Sequence, residues 1–98
     1  MLQAHVEIGD NTSIHMATAI GHESKIGSSA FIAHAVSISG SCQIGEGTFI
    51  GTNATILPRI RIGQWATIGA GSVVTKDVPD RAVVVGNPGR VIKFNKDN

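Results

Sequence analysis

The stretch Ala19-Ile20-Gly21-His22-Glu23-Ser24-Lys25-Ile26-Gly27-Ser28-Ser29-Ala30-Phe31-Ile32 decides the fold of this 98-residue chain. Isoleucine returns every six residues within it, and a small residue stands two places before each. Outward from there the period holds at Ile8, Ile14, Ile20, Ile26, Ile32, Ile38, Ile44, Ile50, Ile56, Ile62, Ile68 and Val74 without an insertion. The partner position is Thr12, Thr18, Ser24, Ala30, Val36, Cys42, Thr48, Ala54, Ile60, Ala66 and Ser72. Inward residues thus alternate in gaps of two and four. A gap of two stays on one strand, whereas a gap of four has to contain a bend. Short strands joined by tight corners follow, and three of them close a triangular coil of eighteen residues. Glycine comes directly after the aliphatic residue at Gly9, Gly21, Gly27, Gly45, Gly51, Gly63 and Gly69, where unusual dihedrals are expected as the backbone leaves the strand.

A six-residue period does not fit the 3.6 of a helix, and hairpin signals such as Asn-Gly are missing, so helical hairpins and sandwiches are set aside. An all-β, single-stranded solenoid of about four coils remains: a parallel β-helix over residues 1–79, with residues 80–98 as cap and tail. Asp80 to Lys93 is expected to fold back over the last coil's open edge, and the tail Asn95 to Asn98 is expected to be mobile.

Composition narrows the partners. A formal charge of +1, no cationic run and four aromatic residues argue against nucleic acid. No apolar run reaches membrane-spanning length. The start, Met1-Leu2-Gln3-Ala4-His5, has no basic, apolar signal-peptide pattern, and the lone Cys42 suits a reducing cytoplasm. Residues eighteen apart share a column. Glu7, Lys25, Gln43 and Arg61 read as a solvent face. Ala19, Ser37, Thr55 and Val73 are small enough for close subunit contact, and Ser13, Phe31, Phe49 and Thr67 carry two stacked phenylalanines that call for cover. Two non-solvent faces fit a closed three-fold ring, so a homotrimer is expected. A thin one-coil core also favours association.

Among the histidines, His5 and His15 read as structural. His22 opens His22-Glu23-Ser24-Lys25-Ile26-Gly27, where a carboxylate follows a corner imidazole. Two readings stand: a solvated corner, or a base whose second ring nitrogen is oriented by Glu23.

The repeat resembles the hexapeptide-repeat transferase superfamily, which implies a left-handed coil against the usual right-handed crossover rule. The His22-Glu23-x-x-Ile26-Gly27 segment, Gly51-x6-Pro58, the Gly69 to Pro79 run and Val85-Gly86-Asn87-Pro88-Gly89-Arg90 are similar to its sialic acid O-acetyltransferase and amino-sugar N-acetyltransferase branch. That resemblance implies acetyl-CoA-dependent transfer to a hydroxyl or amine of a sugar or nucleotide-sugar, with His22 as base and Glu23 raising its basicity. It places acetyl-CoA contacts on Phe31, Thr52 and Ala70, in a groove along the Met16, His34, Thr52, Ala70 column. Because His22 lies on another corner, the active site is expected between chains. Lys76 and Arg90 read either as phosphate contacts or as solvated basic residues. Phe31 departs from relatives that carry histidine there, since phenylalanine donates no hydrogen bond. Relatives carry an α/β substrate domain before the repeat, whereas Met1 leads almost straight into the repeat here, so the expectation is either a truncated piece or a minimal enzyme with another acceptor. The alternatives are a non-catalytic trimerising scaffold and a γ-type carbonic anhydrase-like zinc protein; for the latter, no histidine pair has the His-x4-His spacing, and no metal site is expected.

Overall fold

The computed structural model describes residues 5–96. Twelve two-residue strands run from β1 (Glu7–Ile8) to β12 (Val73–Val74), each ending on the aliphatic residue of the repeat. Because the period is constant, strands three apart lie in register. One sheet is β1, β4 (Lys25–Ile26), β7 (Gln43–Ile44) and β10 (Arg61–Ile62). A second is β3 (Ala19–Ile20), β6 (Ser37–Ile38), β9 (Thr55–Ile56) and β12. The third begins β2 (Ser13–Ile14), β5 (Phe31–Ile32), β8 (Phe49–Ile50) and β11 (Thr67–Ile68). All these pairings are parallel, and isoleucine stacks on isoleucine, as in Ile14↔Ile32 and Ile32↔Ile50. The result is a left-handed parallel β-helix of about four turns.

The core is the set of inward positions that the period marks. Ile32, Ile50, Ile56, Ala54 and Val36 are fully buried, as are Thr48, Ser24 and Ser72. Burying one isoleucine is worth about 1.5–3 kcal/mol, so the stacked ladder dominates stability. The buried hydroxyls have a separate task at the corners. Thr18 Oγ1 donates to Ala33 O at 2.7 Å, Ser24 Oγ to Ser39 O at 3.0 Å and Thr48 Oγ1 to Gly63 O at 2.8 Å. Each satisfies a carbonyl just past a strand in the coil above, which buried backbone requires.

The corners correct the expectation about glycine. Positive φ recurs every six residues, but at Asn11, Ala17, Glu23, Ser29, Ala35, Ser41, Gly47, Asn53, Arg59, Trp65 and Gly71. That position lies two residues after the expected one, and most of its occupants are not glycine. The left-handed backbone there is held from the neighbouring coil: Ala35 N–H donates to Met16 O at 2.9 Å, and Asn53 N–H to His34 O at 3.0 Å. The glycine after the aliphatic residue serves close approach instead. A Cβ on Gly45 would fall 2.6 Å from Gln64 N, and one on Gly21 would fall 2.5 Å from Gly40 N.

Beyond Pro79, β13 (Ala82–Val85) adds a fifth strand to the third sheet, parallel to β11, and β14 (Arg90–Phe94) pairs antiparallel with β13. Val78, Ala82 and Val84 are buried with the core cluster. Asn95 departs from the expected mobile tail. Its N–H donates to Arg81 O at 2.6 Å, and its Nδ2 donates to Trp65 O at 3.1 Å and Thr67 Oγ1 at 3.2 Å. The final two residues of that tail lie outside the described residues. No helix of the described chain is long and apolar enough to cross a membrane.

Candidate functional site

Between β3 and β4 the chain turns through Gly21, His22, Glu23 and Ser24. Ser24 points inward, and Glu23 sits at φ 59°. Ser41 N–H donates to His22 O at 2.9 Å, which pins this corner to the coil above. The side chains of His22 and Glu23 are thereby left outside. His22 Nδ1 stands 3.8 Å from Glu23 Oε1, with the two side chains 61% and 64% exposed. That separation is within ion-pair reach but longer than a hydrogen bond. A carboxylate on the Nδ1 side leaves Nε2 available for proton transfer. Gly40, one coil above, makes room for the ring: a Cβ there would lie 3.2 Å from His22 Cε1 and Nε2. Sequence reasoning missed Gly40, although His22 and Gly40 share a column by simple addition of eighteen.

The remaining expected site residues gather elsewhere. Phe31 lies on β5, its ring stacked on Phe49 at 5.2 Å and 9°. The next corner carries Met16, His34, Thr52 and Ala70 in one column, joined through corner bonds such as Gly71 N–H to Thr52 O at 2.8 Å. Thr52 and Ala70 therefore stack in the same column with Phe31 on the adjoining strand, whereas His22 and Glu23 occupy a different corner. His15 joins the Phe31 side, with ring centroids 4.6 Å from Phe31 and 5.2 Å from His34. Lys76 and Arg90 line one cavity of about 270 Å³ between the last coil and β14. A concavity of about 510 Å³ lies over the Glu7, Lys25, Gln43, Arg61 column that was expected to be a plain solvent face. Among the described residues, no group of three or more His, Cys, Asp or Glu side chains is placed to hold a metal ion.

Known proteins share the repeat and the fold. Residues 41–76 match the model of the bacterial transferase hexapeptide family, six repeats. The chain is a hexapeptide-repeat protein. No curated protein sequence matches it. Among solved structures, this hexapeptide-repeat chain is 35% identical to serine acetyltransferase of Neisseria gonorrhoeae, covering 96% of this chain and 40% of that one with a TM-score of 0.91. It is 25% identical to PerB of Caulobacter crescentus, crystallised with CoA and GDP-perosamine, covering 94% and 53% with a TM-score of 0.73. A maltose O-acetyltransferase from Clostridium difficile 630 is 28% identical, covering 99% and 65% with a TM-score of 0.78. The hexapeptide-repeat chain thus spans roughly half the length of the structures it matches.

Proposed function

We propose that this chain transfers an acetyl group from acetyl-CoA to a hydroxyl or amine of a sugar or nucleotide-sugar, as a cytoplasmic homotrimer with each active site between two chains. The observation that carries this reading is the exposed His22–Glu23 pair on one corner of a hexapeptide prism whose solved neighbours are acetyltransferases. PerB, with CoA and GDP-perosamine bound, and the maltose O-acetyltransferase support a sugar acceptor. The serine acetyltransferase keeps serine in the acceptor screen.

In this mechanism Glu23 holds the imidazole with Nδ1 toward its carboxylate. His22 Nε2 takes the proton of the acceptor hydroxyl or amine as that atom attacks the thioester carbonyl carbon. His22 then returns the proton to the departing sulfur as the carbon–sulfur bond breaks, and no bond to the enzyme forms. Phe31, Thr52 and Ala70 flank the donor along their corner, and Lys76, three coils above His22 on His22's own corner, takes its phosphates together with Arg90 from the neighbouring chain. Because His22 is on another corner, it serves the donor of a neighbouring chain. The stacked Phe31 and Phe49, 39% and 43% exposed, support cover by that neighbour.

The test is a thiol-release assay with acetyl-CoA and a panel of nucleotide-linked amino sugars, sialic acids, maltose and serine. His22→Ala is expected to lose 10²–10⁴-fold in turnover while keeping the trimer mass by light scattering and the affinity for CoA. Turnover retained in that variant would remove His22 as base. Failure of the wild-type chain to bind acetyl-CoA at millimolar concentration would instead favour the trimerising scaffold.

A further inference from the structure

Trp65 stands at the left-handed corner position between β10 and β11, at φ 56°. The same column carries Asn11, Ser29 and Gly47 in the coils below, small residues that suit such a backbone. A bulky aromatic side chain is thus placed where its backbone costs conformational energy, and 44% of it is exposed. The corner itself does not ask for an indole. Trp65 N–H donates to Glu46 O at 2.7 Å, a backbone bond that its column-mates could equally make.

The ring has a defined pose. A Cβ added to Gly47 would fall against Cε3, Cζ3 and Cδ2 of Trp65, three adjacent atoms of the six-membered ring at nearly equal distances. An edge-on ring would bring one atom much nearer than its neighbours, so the indole lies face down on the Gly47 backbone. With one face laid on backbone, the exposed area is the other face.

This corner joins the sheet of β1, β4, β7 and β10 to that of β2, β5, β8 and β11. It is therefore the vertex opposite the sheet of small residues, Ala19, Ser37, Thr55 and Val73, where subunit contact is expected. His22 and the Met16 to Ala70 column occupy the two other vertices. Beside Trp65, Gln64 lines the concavity of about 510 Å³ that runs over the polar sheet. Four charges in that lining, Glu7, Lys25, Arg61 and Asp80, cancel, so it offers no net field to a polyanion. Gln43 and Gln64 add amides that both donate and accept hydrogen bonds.

We infer that Trp65 and this concavity bind an uncharged oligosaccharide, with one pyranose stacked on the indole and the following units hydrogen-bonded along the polar sheet. The C–H bonds on one face of a pyranose carry the slight positive charge that the negative face of an indole attracts. The balanced, polar surroundings select a hydroxylated ligand over a polyanion, and the position opposite the small-residue sheet selects it over a neighbouring subunit. This site is separate from the acceptor site of the proposed reaction and does not depend on it.

Trp65 is the only tryptophan in the chain, so its emission reports on the site in the whole protein. Titration with glucose, maltotriose and chitotriose, without CoA, should give a saturable blue shift and protection from acrylamide quenching. A trisaccharide should bind about tenfold more tightly than glucose, the worth of about one further net hydrogen bond. Trp65→Asn, which restores the residue found at Asn11 in the same column, should lose saturation transfer to the trisaccharide by NMR. If that variant does not fold by circular dichroism, Trp65→Ala takes its place, since Ala17 and Ala35 hold equivalent corners. Gln64→Ala should weaken the trisaccharide and leave glucose unchanged, and His22→Ala should leave the emission titration unchanged. Emission that ignores every saccharide would overturn the inference, as would a shift that follows chain concentration alone, which would assign the indole to a second copy. A response lost in His22→Ala would overturn it by moving the saccharide to the acceptor site. Saccharide binding in a chain that fails to bind acetyl-CoA would support this inference and remove the proposed function.

Discussion

Gly45→Ala set beside Gly71→Ala separates the two reasons a β-helix has for glycine. At Gly45 an added Cβ would lie 2.6 Å from Gln64 N and Gly63 C, about 0.8 Å inside ordinary contact at 3.4 Å, and both of those atoms are backbone. Neither coil can yield without the other. Opening the corner by that amount would stretch Gly45 N–H to Ile62 O, now 2.8 Å, to about 3.6 Å, past a useful hydrogen bond. Overpacking costs about 1–3 kcal/mol and the weakened bond about 1 kcal/mol. The stiffer unfolded chain returns about 0.4–1 kcal/mol, leaving a loss near 2–3 kcal/mol. Gly71 has φ +71° and open space around its missing Cβ. There only the left-handed backbone is charged, at about 1–2 kcal/mol, and the same unfolded-state term reduces it to about 1 kcal/mol or less. Urea unfolding followed by circular dichroism, at equal chain concentration because association adds to stability, measures both. Equal losses, or a larger loss for Gly71→Ala, would refute the assignment of Gly45 to close approach.

Thr48→Val keeps the shape of a fully buried side chain but leaves Gly63 O without the 2.8 Å hydroxyl bond; it should cost about 1–3 kcal/mol in the same assay, with Thr48→Ser retaining most of the stability. Burial pushes the Cys42 thiol above its ordinary value of 9.0. The protonated thiol therefore stabilises the fold fully below about pH 9, and that contribution falls away as pH rises through the higher folded value. Native protein should resist iodoacetamide at pH 8 and react after addition of urea, and Cys42→Ala should unfold with a weaker alkaline loss of stability. Gly40→Ala would press a methyl group against the His22 ring at 3.2 Å; turnover should fall about tenfold by the displacement argument for catalytic groups, with CoA affinity unchanged, as checked by thiol release and calorimetry.

The fold was legible because one feature, isoleucine at every sixth residue, is repeated often enough to dictate strand ends, register and core together. The left-handed corner position was not. Its occupants include Ala17, Ala35, Arg59 and Trp65, none of which advertises positive φ, because bonds to the adjacent coil enforce a backbone that local preference resists. Glycine was visible, but its role depends on a coil eighteen residues away. The His22–Glu23 pair could be read from adjacency alone. The shelter that Gly40 gives it, the grouping of Lys76 with Arg90, and the wedge of His15 between Phe31 and His34 arise from stacking, where neighbours in space are distant in sequence. Asn95 escaped notice for the same reason, since its partners Trp65 and Thr67 lie about thirty residues back.

The pairing of β11 with β13 couples Ile68 to Val84, a step of sixteen residues, and the bridge of Ile62 to Val78 has the same step, against eighteen throughout the preceding coils. An eighteen-residue insertion between Ile8 and Val74 would add a coil without changing which side chains face inward. A one-residue insertion would put every later side chain on the wrong side of the wall. Steps of six also keep the inward pattern, but only a whole coil of eighteen keeps every later strand in its own sheet. The sixteen-residue step takes the ending out of phase, so that any further eighteen-residue coil would have to be added before the cap.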